Sequence, residues 1–159
     1  MNELIDFAEK AGMENIKFRL QNSETLAKDA ASTLTILLAG IGGAMAYAAK
    51  IFEESPSKAS EIGAFWFCIW LIATAMFLVI NCILSTEMQA PTNQPMNLYL
   101  KEYSLDAVRI VELRNLEERI KLTISKNHRI AVWLDRVRIS IILSPVVFFV
   151  VTATVLAVR

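Results

Sequence analysis

The chain has 159 residues, 55% hydrophobic and 20% charged, and its 16 basic and 16 acidic side chains leave no formal net charge. A mean hydropathy of +0.44 is too apolar for an ordinary water-soluble domain of this length, and the missing net charge removes any global field that would gather nucleic acid. Cys68 and Cys82 share one apolar run and lie about 21 Å apart if it is helical, so no disulfide joins them there; the single His128 has no second histidine with which to hold a metal.

Residues 30–49, 62–84 and 139–158 carry no charged side chain. A hydrocarbon core of ~30 Å takes about 20 helical residues, so each run is long enough to cross it. The fold expected is an all-α membrane protein with three transmembrane helices, an amphipathic N-terminal helix and a cytoplasmic helical segment between the second and third spans. The divisions are 1–29 (cytoplasmic), 30–49 (first span), 50–61 (outer loop), 62–84 (second span), 85–138 (cytoplasmic helical region) and 139–158 (third span). Basic residues crowd segments 1–29 and 85–138, and only Lys50 and Lys58 stand in the first connector. By the positive-inside rule this places the N-terminus in the cytoplasm and the C-terminus outside.

In chain order, Leu4, Phe7, Ala8 and Ala11 fall at helical spacing behind a possible Asn2 cap, Gly12 interrupts, and a charge-rich helical pattern resumes toward the first span. Ala46-Tyr47-Ala48 resembles a signal-cleavage site, yet the region before the run is long and net negative, which disfavours a signal peptide. The first span, AASTLTILLAGIGGAMAYAA, places bulky Leu34, Leu37, Leu38, Ile41 and Met45 on one side. Ser32, Ile36, Ala39, Gly43 and Ala46 fall on the other. Small residues let helices approach closely in lipid, where packing drives association; this face packs either within a three-helix bundle or between protomers around a pore, with Ser32 or Thr35 touching water. A turn at Pro56 leads to a bulky, aromatic second span. Trp66 and Trp70 read as interfacial anchors at its outer end, and Asn81 as its one strongly polar residue.

Pro91 and Pro95 end that helix. Residues 104–126 then read as a helix capped by Ser104, with Asp106 in its first turn, Leu105, Leu113, Leu116, Ile120 and Ile124 on one face, and Glu117 and Lys121 as an i,i+4 pair. Asn127 and His128 mark a break before the third span, which Pro145 is expected to kink. Arg109, Arg114, Arg119, Lys121, Lys126 and Arg129 are a candidate surface for an anionic ligand such as a nucleotide or oligonucleotide; the same residues equally describe a salt-bridged solvated helix beside anionic lipid. No span contains an ionisable residue, which argues against proton-coupled transport. No phosphate loop, metal cluster or nucleophile elbow is present, so no enzyme activity and no cofactor are expected.

The amphipathic start, the small-residue stretch SETLAKDAASTLTILLAGIGGAMAYA, the aromatic second span, the charged inner helix and the last span together resemble the small helical membrane effectors of bacterial anti-phage defence. These form the SLATT-like group, and the chain is similar within it to the membrane effector of the Hailong system. The resemblance implies a homo-oligomeric channel, a tetramer gated by a DNA oligomer that a partner nucleotidyltransferase makes, which depolarises the infected cell in abortive infection. Apolar residues such as Leu4, Phe7, Ile36 or Leu37 are the candidate gate, closing the path by dewetting. The competing expectations are a non-conducting membrane anchor or accessory subunit that recruits a soluble partner, and a holin-like pore.

Overall fold

The computed structural model describes residues 2–53, 58–84, 92–99 and 102–158. Helix α1 is Asn2–Glu53, α2 is Lys58–Leu78 followed by a π-helical turn at Val79–Ile83, α3 is the single turn Pro95–Leu98, and α4 is Leu105–Ala157. No strand occurs among the described residues. Among the described residues three helices are long and apolar enough to cross a membrane. The expected turns at Pro56 and Pro91 lie outside the described residues. Pro95 opens α3, a position where its missing N–H costs nothing.

Two compact units divide the chain. One holds residues 1–26 and 86–129, the other residues 27–85 and 130–159. Helices α1 and α4 contribute to both. In α1, Ile16, Ser23, Ala30, Leu37 and Ala44 are buried, each seven residues after the last. In α4, Leu116, Val137 and Ser144 are buried and Thr123 and Ile130 half-buried on the same seven-residue series. A seven-residue repeat holds one seam of a helix toward its partner over many turns, as in coiled coils.

In the first unit α1 and α4 run parallel. Arg109 grips Asp6 and Glu9 near the start of both helices. Gly12 admits Leu116, whose Cδ2 would lie only 2.7 Å from a Cβ added there. Gly12 is therefore not an interruption; α1 passes through it unbroken, and its bare backbone is what allows the close approach. Farther along, Asn127 Nδ2 donates to the Arg19 carbonyl (3.0 Å) and Asn127 Oδ1 accepts from Ser23 Oγ (2.7 Å). The expected break at Asn127 and His128 is corrected accordingly. The helix continues because Asn127 satisfies both ends of its amide on α1, and a paired polar residue in a helix seam fixes register. Ser104 Oγ accepts from the Ala107 N–H (3.3 Å), the expected cap.

In the second unit α2 runs antiparallel to α4. Gly63 faces Phe148 and Thr152, Phe67 packs edge-on against Phe148, and Phe77 stacks on Trp133 with ring centroids 6.4 Å apart. Asp29 and Arg138, each one residue before an apolar run, pair at 3.0 Å and hold the starts of the first and third runs level. Trp70 is not a terminal anchor. It lies in mid-helix, where Nε1 donates to the Ser140 carbonyl of α4 (3.2 Å), and Thr74 Oγ1 meets Ser140 Oγ at 3.0 Å. Asn81 turns back onto its own helix, donating to the Phe77 carbonyl (3.0 Å).

Helix α4 runs through Pro145. Proline deprives the carbonyl four residues earlier, Ile141, of its N–H partner. The Ser144 hydroxyl replaces it, donating to Ile141 O at 2.7 Å.

Candidate functional site

The outward face of α1 is where the sequence placed contact, either within a three-helix bundle or between copies. Ser32, Ile36, Ala39, Gly43 and Ala46 are all exposed in the single chain. The helices of the second unit pack instead on Ala30, Thr33, Leu37 and Ala44. Small residues on the outer face are thus not spent on packing inside the chain. Two threonine hydroxyls on this stretch are satisfied locally: Thr33 donates to Asp29 O (2.8 Å) and Thr35 to Ala31 O (3.1 Å). Gly43 also borders an apolar cleft of about 360 Å³, lined with it by Tyr47, Ala64, Phe67 and Phe148.

The candidate gate residues separate. Leu4 is 76% exposed and Phe7 73%, and Ile36 is 63% exposed. Leu37 is 1% exposed, and this corrects the expectation for it: a side chain enclosed by its own unit forms part of the core, not of a surface that closes a path. The bulky set assigned to one side of the first run divides likewise. Leu38 and Met45 point outward, because the inward seam follows the seven-residue series through Ala30, Leu37 and Ala44.

Leu4, Phe7, Ala8 and Ala11, expected to form the apolar face of the N-terminal segment, are all exposed. The neighbouring stripe packs in their place. Glu9, Gly12 and Ile16 turn toward α4, because Arg109 draws in the carboxylates and Gly12 gives room for Leu116.

The six basic residues do not form one surface. Arg109, its side chain 18% exposed, donates from Nε to Glu9 Oε1 (2.7 Å) and from Nη2 to Glu9 Oε2 (2.6 Å), and it also bonds Asp6. Hydrogen bonding from Arg109 holds the Glu9 carboxyl below its ordinary value of 4.5, against the smaller opposing effect of burial. The same bonds, led by that to Glu9, push Arg109 up. Arg119 is buried and donates to Glu112 Oε1 (3.1 Å). Lys121 pairs with Glu117 at 2.6 Å, the pair expected from spacing; its hydrogen bond lowers Glu117 and raises Lys121. Lys126 is half-buried, whereas Arg114 and Arg129 are exposed and form no ion pair among the described residues. Arg109, Arg119 and Lys121 are therefore committed to carboxylates of the same chain.

Sequence reasoning missed Glu112. Its carboxylate collects Asn93 Nδ2 (2.8 Å), Asn115 Nδ2 (3.4 Å) and Arg119 Nη1 (3.1 Å), joining the 92–98 segment to α4. Within α4 a signal existed, since Glu112, Asn115 and Arg119 stand at spacings that put them on neighbouring turns; the tie to Asn93 had none. Among the described residues no cluster of His, Cys, Asp and Glu can hold a metal ion. No family model, curated protein or solved structure matches this chain.

Proposed function

We propose that the chain is the subunit of a homo-oligomeric, ligand-gated channel in a bacterial inner membrane, with the outward face of α1 turned to its own copies. The observation that carries this reading is the exposure of Ser32, Ala39, Gly43 and Ala46 on a helix apolar enough to cross a membrane. In lipid, small residues on an outer face permit close helix contact, and a face that its own chain leaves uncovered is available to another copy. The resemblance to anti-phage effectors supplies the rest of the proposal: a tetramer with its N-terminus in the cytoplasm, opened by a nucleotide or DNA oligomer from a partner nucleotidyltransferase, acting by depolarisation. Ile36 is the candidate constriction within the span, and Leu4 and Phe7 candidates at the cytoplasmic end. Arg114 and Arg129 are the basic residues best placed to meet an anionic signal. A ligand opens such an assembly only by binding the open state more tightly.

The test is flux through liposomes carrying the purified chain, with a short DNA oligomer added, together with thiol labelling of Ser32→Cys and Ala39→Cys. Oligomer-dependent flux blocked by labelling supports the channel. An intact gradient at saturating oligomer, with cross-linking that finds only monomers, refutes it. A second reading, an accessory subunit that recruits a soluble protein, is favoured by the exposed Leu4, Phe7, Phe18 and Leu105 of the charged unit.

A further inference from the structure

Two arginines stand just before the last apolar run, and the second unit uses them differently. Arg138 donates to Asp29 at 3.0 Å and lies 3.7 Å from Asp135, so its charge is balanced from within. Arg136 is exposed and forms no ion pair among the described residues. Its guanidinium lies over the Trp133 ring, 4.7 Å from the centroid. Trp133 in turn stacks on Phe77 of α2, with the ring planes 9° apart.

This stack leaves a particular set of groups unspent. A guanidinium that rests on an aromatic ring keeps N–H donors at its rim, where they match the oxygens of a phosphate. The ring steadies the long side chain without neutralising it. The Trp133 indole N–H has no acceptor among the described residues, whereas the Trp70 N–H is taken by Ser140 O. Position then decides the partner. Arg136 stands three residues before the uncharged run 139–158, about 4.5 Å of helical rise. The Asp29–Arg138 pair sets this as the level at which α1 and α4 begin their apolar runs. At the same place α2 presents apolar surface: Phe77 and Ile80 are 56% and 55% exposed. An unpaired cation beside uncovered apolar side chains, at the edge of a span, meets both halves of a lipid. A free anion in water would leave the apolar half uncovered.

We propose that Arg136, with the Trp133 indole N–H as a second donor, binds the phosphate of an anionic phospholipid whose acyl chains lie along Phe77 and Ile80. The inference rests on the second unit lying in a bilayer and does not depend on conduction.

The test is native mass spectrometry of the full chain in mild detergent, titrated with phosphatidylglycerol. Phosphatidylcholine, whose choline offsets the phosphate, and water-soluble glycerol phosphate are the comparators. Phosphatidylglycerol should be retained saturably, phosphatidylcholine more weakly, and glycerol phosphate should not displace either. Arg136→Lys keeps the charge but not the planar fork and should weaken phosphatidylglycerol roughly three- to tenfold. Lys28→Gln removes an exposed charge one residue before Asp29 and should leave the affinity unchanged. Flotation with phosphatidylcholine vesicles checks the bilayer reading separately. If the unaltered chain fails to float, both that reading and this site are overturned. With flotation intact, equal retention of the two lipids, displacement by glycerol phosphate, or equal effects of the two variants would overturn the lipid site alone.

Discussion

Gly63→Ala tests how closely α2 and α4 approach. A Cβ at this position overlaps Thr152 Oγ1 and comes within 3.3 and 3.4 Å of two ring atoms of Phe148. Thr152 has no flexible stem to swing aside. Its hydroxyl is held on the Phe148 carbonyl at 2.8 Å, and turning it away forfeits a bond worth about 1 kcal/mol. Overfilling a packed helix contact costs typically 1–3 kcal/mol, and replacing glycine by alanine within a helix returns about 1 kcal/mol. The single variant should therefore lose about 1–3 kcal/mol. Thr152→Ala alone should lose about 1 kcal/mol or less, because the Phe148 carbonyl keeps its place in the helical ladder. In the double variant the overlapping atom is gone, and alanine at 63 should be neutral or stabilising, giving a coupling of about 1–3 kcal/mol. Reversible unfolding in mixed micelles, followed by far-UV circular dichroism, measures the cycle. Additive losses would refute the close approach at Gly63.

Ser144→Ala strips the Ile141 carbonyl of the donor that Pro145 cannot provide and should cost about 1–3 kcal/mol in the same assay; restoring the N–H with Pro145→Ala in that background should recover the loss. Leu37→Ala should cost about 2–5 kcal/mol, as an enclosed leucine does, whereas Ile36→Ala should stay within about 1 kcal/mol in the monomer; comparable losses would contradict the assignment of Leu37 to the core. Arg109→Met should lower hydrogen-exchange protection over the first three turns of α1 and leave the 130–157 part of α4 unaffected. The Glu9 carboxyl is depressed by its bond from Arg109, so its contribution is present above the ordinary value of 4.5 and is lost as pH falls through the lower folded value. Protection of that segment should thus hold at neutral pH and fall only below 4.5, and in Arg109→Met this acid step should disappear.

Much of the helical layout was legible in the sequence. Three uncharged runs of the right length gave the three long apolar helices, Ser104 announced a cap, and Glu117 and Lys121 announced a pair, because each rests on residues close along the chain. What failed were inferences drawn from one helix about its neighbour. Asn127 and Gly12 look like interruptions by local propensity, yet both sit where α1 and α4 touch. There an amide that bonds Arg19 and Ser23, and a backbone without a side chain, are what the contact needs. Trp70 looked like an interfacial anchor because aromatic rings favour that zone, but its N–H is taken by a carbonyl of α4.

The sequence by itself determined that this is a chain of three long apolar helices without ionisable groups inside the apolar runs, since length and composition alone settle whether a helix can cross hydrocarbon. Only the tertiary structure decided which side of each helix is spent on packing. In α1 apolar or small residues occur all the way round, so periodicity allowed two seams. The choice fell to partners about a hundred residues away: Arg109 drawing in Glu9, Leu116 entering at Gly12, and Arg138 meeting Asp29. Within the second unit Leu37 is turned inward and Ser32, Ile36, Ala39, Gly43 and Ala46 are left exposed. Arg109, Arg119 and Lys121 are likewise committed to carboxylates of their own chain, because a charge close to an opposite one is spent there before any ligand arrives.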